Sequence, residues 1–301
     1  MSSNHVMGIP RSLKLCGNCG LAFRAPMPSA KEASTYYQSL NYFRHSNKIE
    51  EWLSEDQANW ILSSLSACEI NSGSLDCIEF GCGDGWLLSA LSKDVNSTRG
   101  YEPDKKSAKR AREKVGDMIE CSYVTTEELD NLDIGNGDNT IFILSHVLEH
   151  FTSPTDFVER LAMKFPRAFL YIEVPDAKYE VPAMINDQSK DSSMQQHLWS
   201  FSNDSLEILT RKIKGEVVSF DRIGSSRFYD YKISKNIIIK KLQELADHAT
   251  QRNPRLSRIV LSLGKLFFVS IITFIYFRFS NLFVKSLDRR DCPSIRCLIR
   301  L

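Results

Sequence analysis

The sequence predicts an α/β fold with a mostly parallel, seven-stranded sheet and helices on both of its faces. Short apolar runs alternate with segments of helical period, which is typical of strand–helix–strand units. The first of these runs ends in a glycine-rich loop, a feature of the ligand-binding edge of such sheets. The 301 residues are 43% hydrophobic and 25% charged, so the chain can bury a full hydrophobic core.

The expected elements begin with a helix over residues 46–70, where apolar side chains recur at helical spacing. Between residues 75 and 174, apolar runs predict buried strands, and the segments between them predict helices. The predicted strands are 75–80, 98–102, 119–124, 140–144 and 168–174, and the predicted helices are 86–91, 104–115 and 154–165. This alternation favours parallel strands joined by helical crossovers.

The remaining residues predict the end of the sheet and two flanking segments. Residues 176–202 are polar and predict a long functional loop. A helix over 206–213, closing strands over 216–220 and 227–233, and a helix over 237–248 follow. The predicted organisation is an N-terminal segment (1–45), an α/β domain (46–235) and a helical, basic and apolar C-terminal extension (236–301).

The net charge of +1 is an average over two unlike parts of the chain. Residues 1–250 carry 28 basic and 35 acidic side chains, whereas residues 251–301 carry 10 basic and 2 acidic ones. The acidic balance of the larger part argues against nucleic acid as a partner. The N-terminus lacks the apolar run of a signal peptide, so we expect a cytoplasmic protein with reduced cysteines.

The cationic C-terminal part contains an apolar stretch over residues 259–277. Lys265 interrupts it and leaves only residues 266–277 uncharged, which is shorter than the roughly 20 residues that span a bilayer. Basic residues flank the stretch, so we expect residues 252–290 to lie on an anionic membrane surface at its cytoplasmic face. A core helix, a dimer contact and a span with a snorkelling Lys265 stay open as alternatives, as does the oligomeric state.

The glycine-rich loop lies within the sequence DCIEFGCGDGWLL, residues 76–88. Gly81 and Gly83 allow a tight turn and a close approach of the backbone to a ligand. A phosphate-binding P-loop is excluded, because the required Gly-Lys-Ser/Thr is missing. Trp86 stands where a dinucleotide-binding loop has its third small residue. Glu79, an acid two residues before Gly81, fits S-adenosylmethionine as the ligand instead.

A second acidic residue, Glu102, follows the second predicted strand in the sequence YEPD. A carboxylate at this position can accept hydrogen bonds from both hydroxyls of a ribose. The alternative is an acid at a strand end that only faces solvent, and the register with the glycine loop argues against it. The two motifs together predict one nucleoside-binding site.

These motifs resemble those of class I S-adenosylmethionine-dependent methyltransferases, which have a Rossmann-like sheet. IEFGCGDG resembles their first motif, and the chain is similar to one subfamily through SHVLEHFTSP, YIEVPD and QHLWSFSNDSLEIL, so the resemblance covers about residues 75–222. It implies that Glu79, Gly81, Gly83 and Gly85 surround the methionine end of the cosubstrate and that Glu102 binds its ribose. Thr125, with its neighbours Val124 and Thr126, is the candidate for the adenine.

The segment His146-Val-Leu-Glu-His150 has two interpretations. As a bare H-x-x-E-H pattern it resembles a zinc-protease motif with both histidines on one helix face. Its position directly after a strand favours the methyltransferase instead, and the resemblance places it beside the bound ligand. Histidine can accept a proton near neutral pH, so we predict His150, His146 and His197 as catalytic candidates. A supporting role for Glu149 and His150 in the loop stays open.

Cys16 and Cys19 form a C-x-x-C pair that resembles the second half of a zinc-ribbon segment. A structural zinc ion needs four ligands, and the chain lacks the second C-x-x-C pair that the subfamily usually has. Cys16 and Cys19 are therefore the candidate metal ligands of a vestigial knuckle. The alternative is a site completed by a distant or partner residue.

The sequence thus predicts an S-adenosylmethionine-dependent methyltransferase, with S-adenosylmethionine as cosubstrate and zinc as a doubtful metal. The resemblance implies a small-molecule or saccharide acceptor, such as a glycan or nucleotide-sugar precursor. Two alternatives are a non-catalytic S-adenosylmethionine-binding scaffold and a zinc hydrolase that uses HVLEH.

Overall fold

A computed structural model describes residues 4–6, 9–39, 48–116, 118–134, 137–185, 196–223 and 294–301. The strands in chain order are β1 (Asn4–Val6), β2 (Ile9–Leu15), β3 (Ala22–Ala25), β4 (Asp76–Phe80), β5 (Ser97–Tyr101), β6 (Ile119–Glu120), β7 (Thr140–Ser145), β8 (Phe169–Pro175), β9 (Trp199–Ser200), β10 (Glu216–Ile223) and β11 (Ser294–Arg300). The helices are α1 (Ala30–Ser39), α2 (Lys48–Ser66), α3 (Trp86–Leu91), α4 (Lys105–Val115), α5 (Pro154–Lys164), α6 (Ala177–Ile185) and α7 (Asn203–Lys212).

The central sheet has seven strands in the order β10-β11-β8-β7-β4-β5-β6. The pairs β4–β5, β4–β7, β5–β6 and β7–β8 are all parallel. The strand order reverses beside β4, because β5 and β7 both follow β4 in the sequence but pair with its opposite edges. Ligands bind at such a switch point, outside the carboxyl ends of the strands. The α/β fold and its seven-stranded, mostly parallel sheet are therefore confirmed.

The strand side chains alternate between two hydrophobic cores, as the period of two in a β-strand requires. In β7, Ile141 and Ile143 pack with α2, α3 and α4, whereas Phe142 and Leu144 pack with α5 and α7. The same alternation recurs in β8. Apolar residues at consecutive positions thus bury both faces of the sheet beneath helices.

Local signals set the ends of several helices. Asp104 caps α4, because its carboxylate accepts a hydrogen bond from the Ser107 N–H at 2.8 Å. Ser202 and Ser205 form a reciprocal capping box at the start of α7. Pro154 occupies the first turn of α5, where its missing N–H costs no hydrogen bond.

A second, smaller sheet has the order β1-β2-β3-β9. Strand β9 pairs antiparallel with β3, placing Phe23 opposite Trp199. The Trp199 indole N–H donates to the Phe151 carbonyl at 2.8 Å. The N-terminal segment is therefore joined to the residues that follow β7 and α6.

Three predictions from the sequence need correction. The third predicted strand, 119–124, is only Ile119–Glu120 long. The predicted loop over 176–202 contains α6 and β9, because buried contacts order it despite its polarity and Pro182. The residues 294–300, predicted as part of a C-terminal extension, form β11 inside the sheet.

The predicted strand over 227–233, the helix over 237–248 and the apolar stretch 259–277 lie outside the described residues. The chain divides into one compact unit of residues 1–221 with 295–301 and a second unit of residues 222–294. Within the part of the chain that the structure describes, no helix has the length and apolarity needed to cross a membrane.

Candidate functional site

A cleft opens at the carboxyl ends of β4, β5, β6 and β7. Six of the residues predicted from the sequence line it: Gly81, Gly83, Glu102, Val124, His146 and His150. Four other predicted residues, Glu79, Gly85, Thr125 and His197, lie outside this lining. The topology thus brings residues from distant parts of the chain to one edge of the sheet.

The glycine loop forms the wall of the cleft that follows β4. Gly81 and Gly83 have φ values of +70° and +53°, which side chains rarely tolerate. The Gly81 N–H donates to the Tyr101 carbonyl at 2.7 Å, which fixes the loop to β5. A Cβ on Gly81 would lie 2.5 Å from Val147 Cγ2, so the loop also packs closely against the segment after β7.

Glu102 lies opposite this loop and is fixed by two backbone hydrogen bonds. Its Oε2 accepts from the Gly83 N–H and its Oε1 from the Asp104 N–H, both at 2.8 Å. The carboxylate is buried against the protein but still lines the cleft. Hydrogen bonds from neutral donors to a charged acceptor are among the stronger ones, so the acceptor group is held in place before a ligand binds.

Glu79 and Gly85 support the loop from behind rather than lining the cleft. Burial, together with the nearby Glu102, raises the pKa of Glu79 to about 8. Glu79 Oε2 has no hydrogen-bond partner among the described residues. Gly85, with φ +74°, faces Ala111 and Val115 of α4, where its missing Cβ permits close helix packing.

The side of the cleft below β6 is formed by Ser107, Tyr123 and Val124. Val124, one of the three adenine candidates, lines the cleft. Thr125 lines a neighbouring cavity instead. Its N–H donates to a Glu128 carboxylate oxygen at 2.8 Å, which begins a short 3-10 turn at Glu128–Asn131.

His146 begins the HVLEH segment with a left-handed backbone, φ +53°. It lies outside any helix, so the predicted helical pairing with His150 does not form; only Leu148–His150 makes one 3-10 turn. Its Nε2 lies 3.2 Å from a Glu173 oxygen and its Nδ1 lies 3.6 Å from a Glu149 oxygen. Burial alone would lower the pKa of His146, but these two carboxylates raise it to about 10.

His150 and His197 pack edge to face with ring centroids 4.8 Å apart. His150 Nδ1 lies 3.1 Å from the Tyr37 hydroxyl and 3.4 Å from the Gln196 carbonyl. Burial and the neighbouring His197 lower the pKa of His150 to about 4. His197 lies behind His150 and pairs through Nδ1 with the buried Glu180.

Cys16 and Cys19 lie in the turn between β2 and β3 and carry free thiols. Within the described ranges, no third cysteine, histidine or carboxylate joins them in an arrangement that could hold a metal ion. The metal-binding role of this pair stays a prediction.

Two residues of the site were missed in the sequence. Tyr37 belongs to α1 and lies 113 positions from its partner His150, and Glu180 belongs to a segment that the sequence predicts as a loop. No spacing links either residue to the HVLEH segment. The only signal in the sequence is that Tyr37 and Glu180 are polar side chains to which no sequence motif gives a role.

Comparisons with known proteins concern the family and the fold of the chain. The family model for a methyltransferase domain matches residues 43–218. No curated protein matches the chain. A similar solved structure is a SAM-dependent methyltransferase from Archaeoglobus fulgidus, with 12% identity, a TM-score of 0.50, and coverage of 83% of this chain and 94% of that one.

Two further structures are similar at lower TM-scores. The plantazolicin methyltransferase BamL, in complex with a triazolic substrate analogue and SAH, has 14% identity, a TM-score of 0.49, and coverage of 91% of both chains. The magnesium protoporphyrin IX methyltransferase from Synechocystis, with bound SAH, has 14% identity, a TM-score of 0.47, and coverage of 64% of this chain and 93% of that one. At such identities, structural likeness concerns the fold alone.

Proposed function

Because the chain belongs to the family of this methyltransferase domain, we propose that it transfers the methyl group of S-adenosylmethionine to a small-molecule or saccharide acceptor. The observation that carries the proposal is the Glu102 carboxylate, fixed at the rim of the cleft opposite the glycine loop. A fixed carboxylate acceptor matches the paired donor hydroxyls of a ribose.

The cleft has complementary ends for the parts of the cosubstrate. Glu102 and the neighbouring Tyr123 and Val124 suit the ribose and the adenine, whereas the backbone of Gly81 and Gly83 suits the methionine part. Glu79 is buried just behind this loop with its pKa raised to about 8, and the sulfonium and ammonium groups of a bound cosubstrate would favour its ionised form. This division agrees with the roles that the family resemblance implies.

The acceptor side of the cleft is aromatic. Tyr37 meets His150 edge to face, and it also stacks on Tyr123, with centroids 5.9 Å apart, where the acceptor side adjoins the proposed adenine end. Flat rings and the apolar faces of sugars pack well on such side chains. Among the predicted catalytic residues, we therefore assign His150 to the acceptor, His146 to holding Glu149 and Glu173 in place, and His197 to supporting His150.

The reaction needs alignment more than strong acid–base chemistry. A lone pair of the acceptor forms a bond to the methyl carbon, the carbon–sulfur bond breaks, and its electrons stay on sulfur to give S-adenosylhomocysteine. The acceptor then loses its proton to the surroundings. Holding the acceptor atom, the methyl carbon and the sulfur in line removes much of the entropic barrier.

The test of the cofactor site is isothermal titration with S-adenosylmethionine. We expect Glu102→Gln to weaken binding by about 10- to 100-fold, because hydrogen bonds to a charged group contribute about 1.5–3 kcal/mol. Glu113→Gln, a change at an exposed carboxylate on α4, is the matched control and should leave the affinity unchanged. Equal affinities for the wild type and a correctly folded Glu102→Gln would contradict the proposal.

The acceptor is identified by incubating the protein with methyl-labelled S-adenosylmethionine and extracts of small molecules and of cell-envelope saccharides. A labelled product heavier by one methylene group supports methyl transfer. The alternative of a non-catalytic scaffold predicts binding of S-adenosylmethionine in the titration and no labelled product in any extract.

A further inference from the structure

We propose that Glu149, His150 and His197 form a binding site for one divalent transition-metal ion of the zinc class. One ligand atom from each of the three side chains lies within 4.8 Å of the other two. Two imidazoles and one carboxylate are a ligand set that suits zinc and related ions and leaves a position for water. This ligand set differs from the two that the sequence suggests, namely the Cys16 and Cys19 pair and the His146 and His150 pair of the H-x-x-E-H pattern.

The orientation of the two imidazoles is the first observation for this site. His197 uses Nδ1 to contact the Glu180 carboxylate, and His150 uses Nδ1 toward the Tyr37 hydroxyl and the Gln196 carbonyl. In both rings, this leaves Nε2 as the nitrogen for an ion. Histidine ligands of metals commonly have such a carboxylate or carbonyl on the other nitrogen, which fixes the tautomer and the ring orientation.

The buried carboxylate of Glu149 is the second, independent observation. The residue is 0% exposed, and neither of its oxygens has a hydrogen-bond partner among the described residues. His146 is an ionic neighbour, but its Nδ1 lies 3.6 Å away, which is beyond hydrogen-bond distance, so both carboxylate oxygens still lack a donor among the described residues. A buried carboxylate is costly unless hydrogen bonds, an ion pair or a metal ion compensate for its lost hydration. A cation between Glu149 and the two imidazoles would provide that compensation.

The backbone around the three residues is tied together. The Leu198 N–H donates to the Glu149 carbonyl at 2.9 Å. This bond joins the backbone of Glu149 to the residue that follows His197. Arg24 of β3 donates through its N–H to the Leu198 carbonyl at 2.9 Å and through Nε to the His197 carbonyl at 3.1 Å. The spacing of the ligands is therefore set by backbone contacts, as precise metal sites require.

The site lies directly behind the acceptor wall of the cleft. His150 lines the cleft, whereas Glu149 and His197 are buried. A bound ion would fix the His150 ring and, through Nδ1, the Tyr37 hydroxyl toward the acceptor. Because Glu102 and the glycine loop belong to other strands, the metal site does not depend on the cofactor site, and the two proposals can fail separately.

The test uses the full-length protein, stripped with EDTA and titrated with zinc chloride by calorimetry. We expect one zinc ion per chain. Glu149→Gln and His197→Asn should weaken zinc binding at least about 100-fold. Glu180→Gln should weaken it about 10- to 100-fold, since a carboxylate that orients a ligating histidine contributes on that scale. The double variant Cys16→Ser/Cys19→Ser is the matched control and should retain the wild-type affinity. Circular dichroism verifies the folding of each variant.

Cobalt substitution gives a readout that needs no variant. Cobalt(II) bound to two imidazoles and a carboxylate absorbs in the visible range without the intense near-ultraviolet band of a thiolate ligand, and this spectrum would support the site. A thiolate band, folded wild-type protein that binds no zinc, or zinc binding lost only in the cysteine variant would overturn it. Titration of the stripped protein with S-adenosylmethionine tests the cofactor site separately.

Discussion

Glu79 is a buried carboxyl group whose ionisation would depend on a bound ligand. It is 4% exposed and lies behind the glycine loop, where burial and the nearby Glu102 raise its pKa to about 8. The buried thiols of Cys77 and Cys82 also sense Glu79, because burial and then the charge of Glu79 raise the pKa of both thiols. Glu79 is therefore largely protonated at neutral pH in the free protein, and a cationic ligand would favour its ionised form.

This residue predicts a pH-dependent affinity for S-adenosylmethionine. Below pH 8, binding of the sulfonium and ammonium groups must displace a proton from Glu79, whereas above pH 8 the carboxylate is already charged. The ratio of wild-type affinity to that of Glu79→Gln should therefore rise about tenfold from pH 7 to pH 9. Calorimetry of both proteins measures it, and the ratio cancels the titration of the ligand's own amino group. A constant ratio would exclude this role for Glu79.

Two elements of the cleft, the glycine loop and the segment after β7, meet at one close contact. Gly81 has φ +70°, and a Cβ there would lie 2.5 Å from Val147 Cγ2. Gly83 has φ +53° but nothing within 4 Å of the corresponding Cβ position. The two glycines thus separate the cost of backbone strain from the cost of overpacking.

We expect Gly81→Ala to lower the free energy of unfolding by roughly 2–6 kcal/mol, the sum of left-handed strain and overpacking. Gly83→Ala should lose only the strain contribution, about 1–3 kcal/mol. Urea denaturation measures both. Adding Val147→Ala should raise the stability of the Gly81→Ala protein, because it removes the side chain that the new methyl group meets. It should not raise the stability of the Gly83→Ala protein, where no such contact exists. Equal effects of Val147→Ala in the two backgrounds would mean that the contact does not limit packing.

The elements that were predicted well are those whose signals are local. The helix 86–91 matches α3, and the strand 140–144 is one residue shorter than β7, because apolar runs bounded by glycine and polar residues define both. Helix α6 was not predicted, since its Pro182 and its polar residues suggest a loop. Its buried Glu180 is stabilised by His197, a contact that no local pattern reveals.

The same distinction applies to the candidate site. The position of the glycine loop and of Glu102 at the cleft could be predicted, because each directly follows a strand of the sheet and its place is set by consecutive residues. Thr125 instead pairs with Glu128 at the start of a 3-10 turn, and its neighbour Val124 lines the cleft. Tyr37 reaches the site only through the packing of α1, which depends on the whole fold.

Strand β11, formed by residues 294–300, completes the central sheet. Strand β11 lies between β10 and β8, although residues 224–293 separate it from β10. Four of its side chains, Ile295, Cys297, Leu298 and Ile299, are almost fully buried in the two cores. The sequence could not predict this pairing, because the hydrophobic pattern of a strand does not encode a distant neighbour.

This topology predicts opposite outcomes for two deletions. Removing residues 294–301 deletes four buried side chains, each of which contributes about 1.5–3 kcal/mol of burial free energy. The total loss approaches the roughly 5–15 kcal/mol by which domains are stable. We therefore expect this truncated protein not to fold, as measured by thermal unfolding followed by circular dichroism. Replacing residues 224–293 with a Gly/Ser linker of about 20 residues, whose ends lie roughly 25 Å apart on average, keeps β11 in the chain.

The linker variant should retain cooperative unfolding and bind S-adenosylmethionine like the wild type, because the cleft lies wholly within the unit of residues 1–221 and 295–301. An unchanged melting temperature after removal of residues 294–301 would contradict the role of β11. The comparison also decides how the predicted membrane association of residues 252–290 must be tested. A simple C-terminal truncation would remove that segment and β11 together, so lost vesicle binding could reflect an unfolded sheet, whereas the internal replacement changes the segment alone.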